Sequence, residues 1–275
     1  MAISEQAVDS LLCIFVQEET RPVLSPFVLD IAGRLAQYII ITKNPDFFEI
    51  VSEIFTSHKK QLLENPAIIG DFIEGMVKRV LKEIENLQKQ EKEESEKLII
   101  SKIWNIFRLI GEDKDFIPKY QEQIEKIMEP LFILFSEGNQ VLYEDDMLIY
   151  VTVVTKLAKK VSPNCWMTLK AYPQIFARSK GIVSSLFPPL NQIIMYGHET
   201  ISKDAGSVQT LLELGIQGLN PTHSLATPPD SCQAALLLHL CLQYLGGISH
   251  ESWEKIVFSC LEKFKSTDKG YLKTK

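Results

Sequence analysis

Apolar side chains recur along this chain at steps of three and four residues, and no stretch alternates between apolar and polar as a strand would. Within Asp46–Leu63 the apolar positions are Phe47, Ile50, Val51, Ile54, Phe55 and Leu62. Within Pro66–Leu87 they are Ile69, Phe72, Ile73, Met76, Val77, Val80, Ile84 and Leu87. Such spacing puts each set on one face of a helix with 3.6 residues per turn. Each stripe must then be covered by a neighbouring helix. The pattern predicts an all-α fold.

Helices are predicted near residues 4–19, 26–42, 45–62, 66–89, 95–111, 119–137, 140–160, 163–178, 181–197, 204–219, 229–246 and 249–265. The punctuation fits these limits. Ser25-Pro26, Asn44-Pro45, Asn65-Pro66, Ser162-Pro163 and Thr227-Pro228 each offer a capping oxygen before a proline at a first helical position, where the missing N–H costs nothing. Gly111, Gly138 and Gly246-Gly247 stand where helices should stop, as left-handed caps do. Pro130 and Pro188-Pro189 fall inside helical patterns and should kink them. Glu74 and Lys78 form an i,i+4 pair.

Taken in pairs, the helices recur about every 40 to 48 residues, the period of HEAT hairpins stacked into a solenoid. Residues 1–275 are therefore expected to form one continuous α-solenoid of about six hairpins, with a compact helical bundle as the alternative. A stacked array of this length should have a radius of gyration well above the roughly 19 Å of compact scaling. The last helix carries a wide apolar face of Trp253, Ile256, Val257, Cys260, Leu261 and Phe264. Apolar surface left exposed at an end of the array, with self-association through it, is expected.

Composition removes several function classes. A net charge of −6 argues against a nucleic-acid binder acting through a basic surface. Cys13, Cys165, Cys232, Cys241 and Cys260 are odd in number and scattered, so they read as buried thiols of a reducing compartment. Met1–Ser10 contains Glu5 and Asp9 and lacks the charge pattern of a signal peptide. The most apolar run, Ala234–Leu245, is too short to span a bilayer and contains His239 and Gln243. A soluble intracellular protein with no membrane or nucleic-acid partner is expected.

No catalytic motif emerges. A Gly-rich phosphate loop, a GxSxG elbow, CxxC and HExxH are all missing. His58, His198, His223, His239 and His250 are read as forming no i,i+3 or i,i+4 pair with another metal ligand in a polar setting. No metal, cofactor or enzymatic activity is expected. Trp104, Trp166 and Trp253 lie on apolar stripes and are assigned to the core. Gln88–Lys97 is almost entirely charged. It is either a solvated extension of two helices or an inter-repeat loop. Glu144, Asp145 and Asp146 open a helix. Acids in a first turn stabilise the positive end of the helix dipole, and the same triplet is the candidate contact for a basic partner.

The stretch Val141–Phe176, VLYEDDMLIYVTVVTKLAKKVSPNCWMTLKAYPQIF, resembles the C-terminal region of importin-β superfamily transport receptors. The similarity is greatest to the large import receptors of ribosomal proteins and histones. It comprises an acidic first turn, a long amphipathic helix, Val161-Ser162-Pro163 with Trp166, and a second helix ending near Phe176. Helix order and spacing agree through the Ala234–Leu237 helix and the final helix from Ser249 to Phe264. The resemblance implies a segment of a longer HEAT superhelix that carries basic cargo and binds Phe-Gly repeats of nucleoporins between helices. Such receptors shuttle between cytoplasm and nucleus and release cargo to GTP-bound Ran, whose main surface lies in an N-terminal arch outside this chain. No residue here matches a Ran motif. A HEAT scaffold outside transport, serving a phosphatase, a coat or translation, and a helical enzyme with a concave site remain as alternatives.

Overall fold

The computed structural model describes residues 10–11, 13–15, 17–42, 44–89, 94–138, 142–179, 185–219, 228–246 and 248–272. Among these, every regular element is helical. We number the helices α1 (Arg21–Leu24), α2 (Val28–Tyr38), α3 (Phe47–Ser57), α4 (Lys59–Leu63), α5 (Pro66–Lys89), α6 (Glu94–Gly111) and α7 (Ile117–Ser136). They continue with α8 (Glu144–Ala158), α9 (Pro163–Thr168), α10 (Tyr172–Ser179), α11 (Phe187–Ile201), α12 (Ala205–Leu219), α13 (Pro228–Tyr244) and α14 (His250–Leu272). The chain divides into two compact units, residues 1–134 with 140–146, and residues 135–139 with 147–275.

In the first unit α2 packs on α3 and α5 on α6, while α2 also meets α5 and α3 also meets α6. These four helices thus contact one another both as sequence neighbours and across the intervening helices. Equivalent helices begin 38 residues apart (28 to 66) and 47 apart (47 to 94). The anticipated stripes supply the interior. Phe47, Ile50, Val51, Ile54, Phe55 and Leu62 are all buried, as are Ile69, Phe72, Ile73, Met76, Val77, Val80 and Ile84. Phe55 and Phe72 meet edge to face at 5.3 Å, and Trp104 stacks on Tyr143 at 5.2 Å. Each such side chain contributes about 1.5–3 kcal/mol through burial.

Charge is also buried there. Arg79 Nε lies 2.6 Å from Glu83 Oε1, with both side chains almost wholly enclosed. Arg79 Nη1 donates to the Ile40 carbonyl at 3.2 Å, and Asn86 Nδ2 donates to Glu83 Oε2 at 3.1 Å. Desolvation pulls the guanidinium pKa down, and the opposing charge of Glu83 and then Glu96 pulls it back up.

The second unit is also built of helices packed on sequence neighbours and across an intervening helix. α11 packs on α12 and α13, α12 on α13 and α14, and α10 on α12. Equivalent helices begin 41 residues apart (187 to 228) and 45 apart (205 to 250). Close approach of α12 and α13 depends on glycine. A Cβ at Gly215 would lie 2.6 Å from Leu238, and one at Gly218 would lie 2.7 Å from Phe187 and 2.8 Å from Ala234.

Several expectations change. The helix expected over 45–62 is two, because His58 at φ −124°, ψ 25° turns the chain between α3 and α4. The helix expected over 163–178 breaks at Leu169–Ala171, where bonds tighten to the three-residue pattern, as in Ala171 N–H to the Thr168 carbonyl at 3.0 Å. Pro173 explains the break, since it has no N–H for the helical ladder and disfavours helical geometry before it. Of the segment expected over 4–19, residues 4–9, 12 and 16 lie outside the described residues. Its helix stops before Gln17, which is extended at φ −75°, ψ 120°. Pro188 and Pro189 sit in the first turn of α11 and do not kink it, whereas Pro130 lies inside α7 as expected.

Capping is mixed. Ser162 Oγ accepts from Cys165 N–H at 3.1 Å, as its position before Pro163 predicts. Asn65 instead donates its amide to the Gln61 carbonyl at 3.0 Å. Gly138 adopts the expected left-handed conformation at φ 73°. Gln88–Lys89 and Glu94–Lys97 are helical ends, and residues 90–93 between them lie outside the described residues.

Candidate protein-interaction surfaces

The acidic triplet lies in the first turn of α8. Asp145 is exposed and Glu144 and Asp146 are half-buried. Burial raises the Asp146 carboxyl above its ordinary range, the neighbouring Asp145 charge raises it further, and Arg108 offsets part of both. Arg108 itself pairs with Glu112 at 3.7 Å. The triplet is thus partly engaged by its own unit, and Asp145 is its most accessible member.

Among the described residues, concavities lie beside the helices of each unit. In the first unit, α4 and the turn before α7 border a cleft of about 680 Å³ that includes Lys59, Lys60 and Lys119 with Glu64, Asp113 and Asp115. Lys59 pairs with Asp113 at 3.4 Å. Its charges balance, so it favours no ligand of single sign. In the second unit, α10, α11 and α12 border a cleft of about 430 Å³. Leu169, Tyr172, Pro173, Leu190, Leu211 and Leu214 give it an apolar lining. Exposed Lys170 and Asp204 also border it. Tyr172 is fully enclosed, and burial keeps its phenol protonated far above the usual tyrosine range.

The α12 start that borders this cleft is fixed locally. Asp204 accepts from the Gly206 N–H at 3.1 Å and from the Ser207 hydroxyl at 2.6 Å. The Ser207 bond, then the Gly206 bond, holds the Asp204 carboxyl below its ordinary range. A volume near 430 Å³ admits a side chain of aromatic size. The cleft was not legible beforehand, because its leucines belong to the same helical stripes as the core.

Histidine and cysteine readings need correction. His250 Nδ1 does approach an i,i+4 ligand type, Glu254 Oε1, at 3.5 Å on an exposed surface. Among the described residues no group of three or more His, Cys, Asp or Glu is placed to hold a metal ion. His58 is buried at the α3–α4 break, and the His198 ring lies 5.2 Å from that of Tyr244. His223 lies outside the described residues. Cys165 and Cys241 are buried, but Cys13, Cys232 and Cys260 are exposed. Burial pushes the Cys241 thiol up to about 12. Trp104 is in the core and Trp166 packs where Gly197 leaves room, while Trp253 is 45% exposed. Spacing alone cannot tell a covered helical face from an uncovered one.

Among the described residues no helix is long and apolar enough to cross a membrane. Compared with protein-family models, with curated proteins and with solved structures, the chain has no match.

Proposed function

We propose that this chain is a non-enzymatic protein-binding scaffold, a continuous array of HEAT-type hairpins. The observation that supports this proposal is the packing of α2 on α5, α3 on α6, α11 on α13 and α12 on α14, helices that begin 38 to 47 residues apart. Such stacking creates a cleft beside each successive helix, and the apolar cleft at Leu169, Pro173 and Leu190 is one. Scaffolds of this kind act by presenting those clefts and ridges to other proteins.

Within that class we propose a segment of an importin-β-like transport receptor that shuttles between cytoplasm and nucleus. Support for this narrower reading is the resemblance over Val141–Phe176. Phe-Gly nucleoporin repeats would occupy the apolar cleft, and Lys/Arg-rich cargo would meet the acidic surface that includes Asp145. Affinity of this segment for GTP-bound Ran should be weak. Immobilised Phe-Gly repeats, against repeats with Phe replaced by Ser, provide the test. Selective retention by the Phe form supports transport. Equal or no retention shifts the proposal to a HEAT scaffold of the phosphatase, coat or translation type.

A further inference from the structure

We propose that the outer face of α14 docks a second copy of this chain, with the two α14 helices antiparallel about a two-fold axis. One side of this helix faces its own unit, where Ser252, Ile256 and Ser259 are buried. About a third of a turn further round lie Trp253, Val257, Cys260, Leu261 and Phe264. Of these Trp253 is 45%, Val257 48%, Leu261 49% and Phe264 71% exposed. The spacing of Trp253, Val257, Cys260 and Phe264 alternates four, three, four. That is the heptad seam by which two helices interlock.

Three observations specify a second copy as the occupant. The first is symmetry. Antiparallel pairing sets Trp253 against Phe264 and Val257 against Cys260, so a large residue meets a large one and a small residue a small one. A two-fold interface requires such self-complementarity. The second is charge. Glu254 flanks the seam near its start and Lys265 flanks the same side near its end, so antiparallel copies bring each acid to the other's base. Within its own helix Glu254 lies 3.5 Å from His250, and Glu251 is held by Lys255 at 2.7 Å on the far side.

The third is area. A whole aromatic side chain covers about 150–250 Å², and with Trp253 45% and Phe264 71% exposed the face offers roughly 450 Å² per copy. Two copies would bury about 900 Å², in the range of weak, transient interfaces. The dimer is accordingly weak and concentration-dependent.

Sedimentation of the full chain at rising concentration tests this. Its average mass should climb from 31.3 kDa toward twice that value. Val257→Lys with Phe264→Asp should hold the monomer mass while keeping the parent's helical circular dichroism, since both positions are exposed. Glu254→Lys and Lys265→Glu should each weaken association several-fold, and the two together should restore it. Should the apolar double variant lose helix content, the charge exchange decides alone. A mass fixed at 31.3 kDa throughout, parent-like association of the folded double variant, or a charge exchange without recovery would overturn the proposal.

Discussion

Arg79 and Glu83 stand one helical turn apart on α5 with their charges enclosed and hydrogen-bonded. Removing one partner leaves the other charge buried alone, which costs about 3–5 kcal/mol, whereas apolar replacement of both is far milder. Denaturant titration should therefore show Glu83→Leu losing several times more stability than Arg79→Met/Glu83→Leu. Equal losses would mean the pair's bulk matters and its charge does not. At Gly218 the limit is space. A methyl group there would meet Phe187 and Ala234 below 3 Å, so Gly218→Ala should cost about 1–3 kcal/mol by overpacking. An unchanged melting temperature would refute the close α12–α13 approach.

His58 gives a residue-scale dependence on pH. Burial first, then Arg21, lowers its pKa from 6.5, against an upward pull from Glu53. Between the folded value and 6.5 the unfolded chain binds a proton that the folded chain does not. This residue's contribution to stability is thus complete above 6.5 and declines as pH falls toward the folded value. Melting temperature measured from neutral pH downward should fall less steeply in His58→Gln than in the parent. Parallel curves would show that His58 titrates alike in both states.

At the scale of elements, helical periodicity identified most of the buried positions of α3 and α5, but it missed buried Phe48, Arg79 and Glu83 and included Leu87, which is only half-buried. Boundaries were less legible. The turn at His58 and the break before Pro173 both lie inside apolar patterns that run on unbroken in sequence. Ser162 was legible because capping is local, needing only a side-chain oxygen three residues from a free N–H. Ser162→Ala should destabilise the second unit by about 1 kcal/mol, read by thermal denaturation, and no loss would mean that water replaces the cap. Exposure was illegible for a different reason. Trp253 and Ile256 share the apolar pattern of α14, yet one is 45% exposed and the other buried, and only the neighbouring helix decides which.

At the scale of the whole molecule, each of the two units contains helices packed both on a sequence neighbour and on a helix that begins 38 to 47 residues away. A chain assembled that way gains recognition surfaces from the spaces between helices, which are set by packing and therefore had no sequence motif to announce them. The acidic triplet did have one, and its helix-start role and partial engagement with Arg108 are both visible. If it also attracts basic cargo, binding of a Lys/Arg-rich tail should weaken steeply with salt. Glu144/Asp145/Asp146→Ala should remove most of that salt dependence, and identical binding by parent and variant would confine the triplet to capping.

The cleft bordered by Leu169, Pro173 and Thr210 is where the proposed recognition of protein between helices is tested. Calorimetric titration of a Phe-Gly repeat peptide into the parent, and into a folded Leu169→Lys/Thr210→Glu variant, tests that claim most directly. Both positions are only partly buried, so the variant should keep the fold. Saturable binding by the parent that falls at least tenfold in the variant is the predicted result. Undiminished binding by the variant, or no binding by the parent, would contradict it.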